Sequence, residues 1–387
     1  MKVAIVGGKL QGTEASYLAR KANWEILLID RKPVIPAMGL CDTFHQLDVT
    51  KDIEAFPRVI RTADLIIPAL EDTPALQYIA EIANKEGIPF AYDSQAYAIS
   101  SSKRKSDTLF AQLGIPAPQP WPNCNLPVII KPSESSGSRG VHRIDKREEL
   151  LTLLDQLGNQ LDNWVIQEFL EGPSYSLEVI GAKERFISLQ CTEIIVDDQY
   201  DCKRVLAPAE LTPELDSQFR DIAQKLARSL DLNGIMDIEV IVHNNSLKVL
   251  EIDARLPSQT PTVVYKSTGI NMLELLYDVF VKQAIPQVPQ ITSERGVVYQ
   301  HIKVSPGELK VCGEHIMSNS RPLRIHENFF GADEALTDFD PRSSHWVATL
   351  IVTEGDQGRA WNKSRQVIQT IQNYFGLSTY VDPIPDV

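Results

Sequence analysis

The stretch "VIIKPSESSGSRGVHRI", Val128 to Ile144, determines most of the fold prediction. An apolar run typical of a buried strand ends at Lys131, and a loop with four serines and two glycines follows. A loop of small residues exposes successive backbone N–H groups, and a lysine at its root adds positive charge, so together they suit a polyphosphate. The alternative is a mobile surface loop beside a lysine that extends to solvent. The candidate phosphate ligands in the loop are Ser135, Ser136, Gly137 and Ser138.

A second constellation lies in "GIMDIEVIVHNNSLKVLEIDAR", which is typical of a β-hairpin that turns at Asn244–Asn245. One strand carries Glu239, and the other carries Glu251 and Asp253. Because residues two apart in a strand project from the same face, Glu251 and Asp253 should lie together. Carboxylates on a largely apolar face need a partner, and Mg²⁺ takes oxygen ligands together with substrate phosphates. The hairpin therefore predicts a magnesium site, with solvated acids at a strand end as the alternative.

The turn of this hairpin fixes which residues face each other. A two-residue turn would place Glu239 opposite Leu250, whereas a three-residue loop would place it opposite Glu251. The metal site therefore predicts the three-residue loop. With regular alternation, the two carboxylates of the second strand should share their face with Leu247 and Val249.

The amino terminus predicts a doubly wound α/β domain. "VAIVGGKLQG", Val3 to Gly12, resembles a dinucleotide-binding turn, and "EILLID" ends at Asp30, where an acid would hold a ribose. Lys9 replaces the glycine that lets backbone approach a pyrophosphate, so this turn alone leaves the cofactor open. An NAD-dependent dehydrogenase would explain this domain but not the hairpin. Ligands of such sheets bind beyond the carboxyl strand ends, which points to the loops at residues 8–11 and 71–73.

Composition narrows the class of protein. A length of 387 residues predicts two or three domains, and a net charge of -13 argues against a nucleic-acid partner. The five cysteines form no C-x-x-C pair, so reduced thiols and no structural zinc are expected. No targeting signal and no apolar run of membrane-spanning length is evident, which predicts a cytoplasmic protein without a membrane partner. The oligomeric state is open, with a homodimer among the alternatives.

The alternation of strand and helix patterns predicts three regions. Residues 1–98 should form a Rossmann-like α/β domain. Residues 99–180 should form a small α+β subdomain with the phosphate loop, and residues 181–387 a larger one with the hairpin and a β-rich carboxyl-terminal region. The helix pattern after Lys103 should stop at Gly114.

Five elements in this order resemble the ATP-grasp carboxylate–amine ligase family. They are the glycine-bearing first domain, the lysine ahead of "LGIPAP" (Lys103), "IIKPSESSGSRGV", the hinge "VIQEFLEG", and "EIDAR" for the family's E-x-N-x-R. Asp253 stands where the family usually has Asn, which keeps an oxygen ligand and adds a negative charge. The resemblance implies the ATP-grasp fold, with a Rossmann-like first domain that does not use NAD, and an enzyme that clamps ATP between two α+β subdomains.

The resemblance also implies roles for individual residues. Lys103 and Lys131 would hold phosphates. The hinge Glu168, Phe169 and Leu170 would take adenine, with the backbone of its first and last residues at the base edge. Glu178 would reach the ribose or the lysines. Two Mg²⁺ ions would bind the trio Glu239, Glu251 and Asp253, while Arg255 would stabilise the developing charge.

The same family implies acyl-phosphate chemistry on small amino-acid substrates. Phosphorylation of a carboxylate by ATP gives a donor that an amine can attack. Lys9, Leu10 and Gln11 are then candidates for the substrate pocket. Glu71 and Asp72 could bind two ammonium groups of a diamino acid, although a helix amino-terminal cap explains them equally well. An amino-acid or dipeptide ligase, a purine-pathway carboxylase and a non-catalytic nucleotide-binding module are the alternatives.

Overall fold

The computed structural model describes residues 1–135, 137–289 and 294–384. The first unit contains β1 Lys2–Val6, α1 Leu10–Lys21, β2 Glu25–Asp30, β3 Thr43–Gln46, α2 Ala55–Ile60, β4 Leu65–Pro68 and α3 Thr73–Glu86. Its four strands are parallel in the order β3-β2-β1-β4. Side chains of β1 alternate between a core shared with α1 and a core shared with α2 and α3, so helices cover both faces. The strand order reverses at β1, which opens a crevice beyond the ends of β1 and β4.

The turn after β1 explains why the glycine fingerprint is incomplete. A Cβ on Gly7 would lie 2.2 Å from the Ala69 carbonyl oxygen, and one on Gly12 would lie 2.2 Å from the Gly7 carbonyl oxygen. These two glycines therefore serve close packing of strand and helix. Asp30 accepts the Gly8 N–H at 2.9 Å and the Lys32 N–H at 2.8 Å. Both carboxylate oxygens are thus engaged by backbone, and the acid that would hold an NAD ribose stabilises the loop instead.

The second unit is a three-stranded antiparallel sheet. Two helices, α4 Ser94–Ser100 and α5 Lys103–Leu113, precede it. The sheet has the order β6-β5-β7 and is covered by one helix; its elements are β5 Val128–Pro132, β6 His142–Ile144, α6 Arg147–Leu157 and β7 Trp164–Glu168. Helix α5 ends at Gly114 with φ +60°, as the sequence predicts. The sheet's small core centres on Val128 and Leu150.

The third unit is built on an eleven-stranded sheet of the described residues. Its elements are β8 Ser174–Ala182, β9 Arg185–Val196, β10 Cys202–Ala207, α7 Pro213–Ser229, β11 Gly234–His243, β12 Ser246–Asp253, α8 Thr260–Thr268, α9 Met272–Phe280, β13 Gly296–Ser305, β14 Glu308–Val311, β15 Arg324–Phe329, β16 Ala332–Thr337, β17 Trp346–Glu354, α10 Gln357–Phe375 and β18 Thr379–Val381. The main path runs β12-β11-β8-β9-β10-β13-β17-β16-β15. In the described part of the chain, no helix is long and apolar enough to cross a bilayer.

The boundaries of the small subdomain differ from the expected range of 99–180. Strand β8 pairs with β9 and β11, so the expected boundary at residue 180 falls inside a strand of the large sheet. Ala96 and Phe110, from α4 and α5, pack in the same core as Phe219 of α7. We therefore propose that the small subdomain spans about residues 115–173.

Candidate active site

A cavity of about 630 Å³ lies between the small sheet and the large sheet, and we call it the nucleotide cavity. Its walls come from α5, β5, the serine–glycine loop, the hinge and the hairpin. Glu239 and Glu251 of the predicted metal trio line it. Ser136 lies outside the described residues. The predicted nucleotide ligands in its wall are Lys103, Lys131, Ser135, Gly137, Ser138, Glu168, Phe169 and Leu170.

Glu178, which the family resemblance assigns to the ribose or the lysines, is not in the wall of this cavity. It lies on β8 opposite Asp237 of β11 and is fully buried. Burial raises the pKa of Glu178 to about 7. Its Oε1 accepts a hydrogen bond from the Ser176 hydroxyl at 3.3 Å, and Oε2 has no partner in the described part of the chain. The structure therefore places this carboxyl beside the hairpin, on the neighbouring strand of the large sheet.

The hinge presents backbone groups to the nucleotide cavity. The Glu168 N–H is donated to the Gln119 carbonyl at 2.9 Å, and the Phe169 N–H to the Pro127 carbonyl at 3.1 Å. These two bonds join the hinge to the segment ahead of β5. Within residues 1–135, 137–289 and 294–384, the Leu170 N–H has no backbone acceptor. The hinge thus keeps one donor available for the edge of a base.

Two lysines converge on the phosphate end of the cavity. Lys103 begins α5, and its ammonium lies 3.2 Å from a Glu251 carboxylate oxygen and donates to the Ser135 carbonyl. Lys131 is the penultimate residue of β5 and is only 8% exposed. Burial lowers the pKa of Lys131, whereas the nearby Glu251 opposes that shift. Two buried ammonium groups beside the small-residue loop suit a polyanion.

In the hairpin, Glu239 pairs with Glu251 as predicted, but the turn differs from the predicted one. His243 pairs with Ser246, so the turn has two residues, and the predicted three-residue loop is wrong. Asn244 and Asn245 adopt φ of +50° and +59°, which such tight turns require. A β-bulge between Glu239 and Val240 on one strand and Val249 and Glu251 on the other then restores the pairing of Glu239 with Glu251.

The bulge also separates two sets of side chains that the sequence places on one face. Leu247 and Val249 are fully buried in the core beneath α7, as is Ile252. Glu251 follows Leu250, the extra residue of the bulge, and lines the nucleotide cavity. The predicted face shared by Glu251 with Leu247 and Val249 is therefore wrong. The carboxylates instead form a polar face opposite an apolar one.

A fourth carboxylate, Asp237, belongs to this polar face. It pairs with Asp253 across the hairpin and with Glu178 on β8, and it is 7% exposed. Burial raises its pKa well above the usual range, and Asp253 reinforces that shift. Its position two residues before Glu239 was the available signal, because residues two apart share a strand face.

The donor set of this face fits magnesium. Burial raises the pKa of Glu239 and of Asp253 to about 7, so both carboxylates would gain from a cationic partner. Asp253 Oδ1 and Asp237 Oδ1 are buried without a hydrogen-bond partner among the described residues. Among the described residues, no three His, Cys, Asp or Glu side chains are grouped closely enough to hold an ion by themselves. The face supplies oxygen ligands of the kind that Mg²⁺ prefers, and the substrate phosphates would have to supply the remaining ligands.

Arg255 links the hairpin to the first domain. Its guanidinium lies 2.7 Å from Asp253 Oδ2 and 2.8 Å from Glu71 Oε1. Burial alone would lower the pKa of Arg255, but the two carboxylates raise it, so the side chain stays charged. Gln11 also donates to Glu71, at 3.1 Å. This ion chain connects the strand ends of the first sheet with the carboxylate face of the hairpin.

The acidic pair after β4 divides into two roles. Asp72 accepts the Ala75 N–H at 3.0 Å and caps α3. The cap alternative therefore applies to Asp72, while Glu71 turns toward Arg255. Only Glu71 has its carboxylate committed to the site rather than to the helix.

A second cavity, of about 370 Å³, opens at the switch point of the first sheet, and we call it the first-domain cavity. All the predicted substrate residues line it, namely Lys9, Leu10, Gln11, Glu71, Asp72 and Arg255. Gly137 and Arg139 of the serine–glycine loop line both this cavity and the nucleotide cavity. Glu314 and His315 complete its wall, and no local pattern in the sequence pointed to them.

The tip of the serine–glycine loop is fixed to the carboxyl-terminal region. Ser138 donates its hydroxyl to the Tyr200 carbonyl at 2.5 Å, and Arg139 Nε lies 3.4 Å from His315 Nε2. His315 Nδ1 is 2.8 Å from Asp201, and that hydrogen bond raises the pKa of the imidazole. The loop thus lies between the two cavities.

A third cavity, of about 760 Å³, lies beside α4, and we call it the side cavity. It shares Glu71 with the first-domain cavity and shares Lys103, Ser135 and Glu251 with the nucleotide cavity. Tyr97, whose ring centroid lies 5.5 Å from that of Tyr92, forms part of its wall. The serine–glycine loop therefore contributes to the walls of all three cavities, and Glu71 to two of them.

A polyphosphate cavity that adjoins two further cavities through lysines, carboxylates and an arginine has the arrangement needed to join two small molecules at the expense of ATP. The protein is an ATP-dependent carboxylate–amine ligase, and the chain belongs to the ATP-grasp family. The model of the ATP-grasp domain matches residues 100–259.

Similar proteins agree with this class. The chain is 35% identical to the 3-methyl-D-ornithine–L-lysine ligase of Methanosarcina mazei, over 97% of each chain. It is 36% identical to the enzyme of that name from Methanosarcina barkeri, over 97% of this chain and 98% of the relative. The biotin carboxylase domain of Hydrogenobacter thermophilus 2-oxoglutarate carboxylase shares the fold with a TM-score of 0.74 at 16% identity, covering 95% of this chain and 89% of that one. An L-amino acid ligase from Bacillus licheniformis gives 0.65 at 16% identity, covering 95% and 97%.

Proposed function

We propose that the protein joins the carboxylate of 3-methyl-D-ornithine to the side-chain amine of L-lysine, as a step of pyrrolysine biosynthesis. The observation that carries this proposal is the similarity, over 97% of each chain, to a relative that bears this substrate pair in its name. The geometry supports it, because a nucleotide cavity and two further cavities adjoin one another in pairs through shared wall residues.

The chemistry proceeds in two steps. A carboxylate oxygen of the donor attacks the γ-phosphorus of ATP, the bond to the ADP oxygen breaks, and an acyl phosphate and ADP result. The lysine amine, once it has lost its ammonium proton, attacks the acyl carbon. The bond to the phosphate oxygen then breaks, and the nitrogen loses a second proton to give the amide. The protein supplies positioning and charge stabilisation, and no covalent enzyme intermediate is needed.

In this proposal Lys131 and Lys103 hold the transferring phosphoryl group, with the N–H groups of Ser135, Gly137 and Ser138 as further donors. Arg255 binds the donor carboxylate and stabilises the oxyanion during amine attack. Lys9, Leu10 and Gln11 shape the wall of the first-domain cavity around the donor, together with Glu71 and the capping residue Asp72. Leu170 and its hinge neighbours take the adenine edge.

We further propose that Glu239, Glu251 and Asp253 bind two Mg²⁺ ions together with the ATP phosphates, and that Asp237 supports them from below. When bound, magnesium would neutralise charge on the phosphates. Two carboxylates of this face are ion-paired in the structure, Glu251 with Lys103 and Asp253 with Arg255. When magnesium and ATP bind, Glu251 and Asp253 would therefore exchange their contacts with Lys103 and Arg255 for contacts with magnesium. The carboxylate face itself is already formed without ligand.

The test of the function is a reconstituted reaction. Purified protein with Mg-ATP, 3-methyl-D-ornithine and L-lysine should release ADP and phosphate and form a product whose mass is the sum of the two amino acids minus water. ADP release should require both amino acids for full rate. Amide formation with other amino-acid pairs but not with this one would instead identify another amino-acid or dipeptide ligase, and bicarbonate consumption would identify a carboxylase.

The side cavity is our candidate for the lysine acceptor. It touches the nucleotide cavity at Lys103 and the first-domain cavity at Glu71, so a molecule held there lies beside the reacting carboxylate. The ring of Tyr97 offers apolar surface for an alkyl chain, and the adjoining carboxylates attract an ammonium group.

Filling the side cavity should uncouple the two half-reactions. Ala98→Trp places a large side chain at an exposed position of α4 in the cavity wall, where it would occupy the space of the lysine substrate, and a loss of about 1.4 kcal/mol or more in lysine binding should raise the KM for lysine about tenfold or more. ADP should still form while less amide accumulates, because the acyl phosphate is hydrolysed instead. Steady-state kinetics for each substrate measure this. Ala111→Trp, an exposed position of α5 outside the three cavities, is the matched control. An unchanged lysine KM in Ala98→Trp would exclude the side cavity.

A further inference from the structure

The carboxylate of Glu314 is not explained by ATP binding or by the metal-binding face. It follows β14 in the chain and lines the first-domain cavity, although Arg255 in the same wall lies far upstream in sequence. Glu314 is only 8% exposed. A buried carboxylate is costly unless it is paired or receives hydrogen bonds. The hydrogen-bond partners of the Glu314 carboxylate therefore indicate its role.

One oxygen of Glu314 is held by two neutral donors. Oε2 accepts the Ser258 hydroxyl at 2.7 Å and the Gln259 amide at 2.8 Å. In the described part of the chain, Oε1 receives no hydrogen bond. A Cβ built on Gly137 would lie 4.0 Å from that Oε1, so the second oxygen faces the tip of the serine–glycine loop. The structure thus aims one unpartnered carboxylate oxygen at the place where the nucleotide and first-domain cavities meet.

Gln259, which orients this carboxylate, is itself tightly constrained. It has φ +73°, a conformation that non-glycine residues rarely adopt and that is concentrated at functional sites. Its amide oxygen lies 3.1 Å from His301 Nε2 and accepts from the Cys202 thiol at 3.3 Å. Burial lowers the pKa of His301 to about 3, so the imidazole is neutral. These contacts direct the Gln259 NH₂ group to Glu314.

The chemistry of an amino-acid donor supplies the missing partner. Its α-ammonium is bonded to the carbon that bears the reacting carboxylate, so it must lie close to Arg255 and to the phosphate loop. Taking an ammonium group out of water without a partner is strongly unfavourable. We propose, given the ligase function above, that Glu314 receives the α-ammonium of the donor and thereby selects α-amino acids over simple carboxylic acids. Glu71, which also lines this cavity, remains the candidate for the side-chain ammonium.

Two substrate analogues separate these roles. 5-Aminopentanoate lacks the α-ammonium of D-ornithine, and D-norvaline lacks its side-chain ammonium. Wild-type protein should prefer D-ornithine to both, with kcat/KM from donor-dependent ADP release as the measure. Glu314→Gln should lose the preference over 5-aminopentanoate and keep the preference over D-norvaline. Glu71→Gln, the matched variant, should show the reverse pattern.

The size of the effect distinguishes selection from general damage. We expect kcat/KM of Glu314→Gln for D-ornithine to fall about 10²-fold or more, since the variant leaves the substrate's α-ammonium buried without its charged partner. Activity with 5-aminopentanoate and the KM for ATP should change little. Glu314→Asp keeps the charge and should retain part of the preference; it replaces Glu314→Gln in the panel if thermal unfolding shows that the latter does not fold.

Each outcome decides the proposal. An equal loss with all three donors would mean a structural or proton-transfer role for Glu314 and would overturn it, as would an unchanged preference for D-ornithine. If wild-type protein rejects diamino acids but uses another α-amino acid, the proposed function is wrong. The role of Glu314 is then tested by comparing that acid with its analogue that lacks the α-amino group, in wild-type protein and in Glu314→Gln. A wild-type enzyme that ignores the α-ammonium of every donor also overturns it.

Discussion

Glu251→Gln should lower kcat for amide formation about 10²–10³-fold, the loss typical when one group that stabilises transition-state charge is removed. Glu251 pairs with Glu239 across the hairpin, contacts Lys103 and faces the nucleotide cavity, so it is the carboxylate best placed to bridge two ions. Gln keeps the shape and one oxygen but removes the charge. Calorimetry of ATP binding at several magnesium concentrations should show that the variant needs more magnesium for the same affinity.

Asp253→Asn is the matched control for this experiment. It removes a charge from the same face, but the family usually carries Asn at this position, so the loss of activity should be smaller. Glu251→Gln also leaves the buried ammonium of Lys103 without its carboxylate partner, so the free energy of unfolding should be measured for both variants. Equal losses in both variants, with unchanged magnesium dependence, would contradict the assignment.

Lys131→Met should weaken ATP binding about 10–100-fold, because a hydrogen bond to a charged group contributes about 1.5–3 kcal/mol. Lys131 is buried in β5, in the wall of the nucleotide cavity, and Met keeps the approximate length of its side chain while it removes the charge. The dissociation constant of ATP, measured by calorimetry, is the direct readout.

The stability of the apoprotein separates binding from folding in this variant. Burial disfavours the charged ammonium of Lys131, so replacing it should leave the thermal unfolding temperature unchanged or slightly higher. Lys105→Met, at an exposed position two residues beyond Lys103, should leave ATP affinity intact. Wild-type affinity in Lys131→Met would show that the lysine does not contact the nucleotide.

The sequence by itself predicted the local structure of this protein. The strand before Gly7 and the helix end at Gly114 follow from backbone conformations that only certain residues favour, and the hairpin turns at Asn244–Asn245 as predicted, although with a two-residue turn rather than the predicted three-residue loop. The order of the lysine, loop, hinge and hairpin motifs was sufficient to predict the ATP-grasp fold and its nucleotide cavity. Such patterns extend over a few residues, and backbone hydrogen bonding with hydrophobic periodicity determines them.

Only the tertiary structure decided the details that depend on long-range pairing. The bulge at Leu250 is unpredictable from alternation, since an extra residue is accepted where it lets Val249 and Ile252 both reach the core under α7. The burial of Glu178 and the domain boundary at β8 likewise depend on which strands become neighbours. Glu314 and Arg255 line one cavity although they are distant in sequence, because the strands that precede them belong to the same large sheet. These contacts are determined by the free energy gained when apolar surfaces from distant segments pack together. The residues adjacent to each site in the sequence carry no signal of that packing.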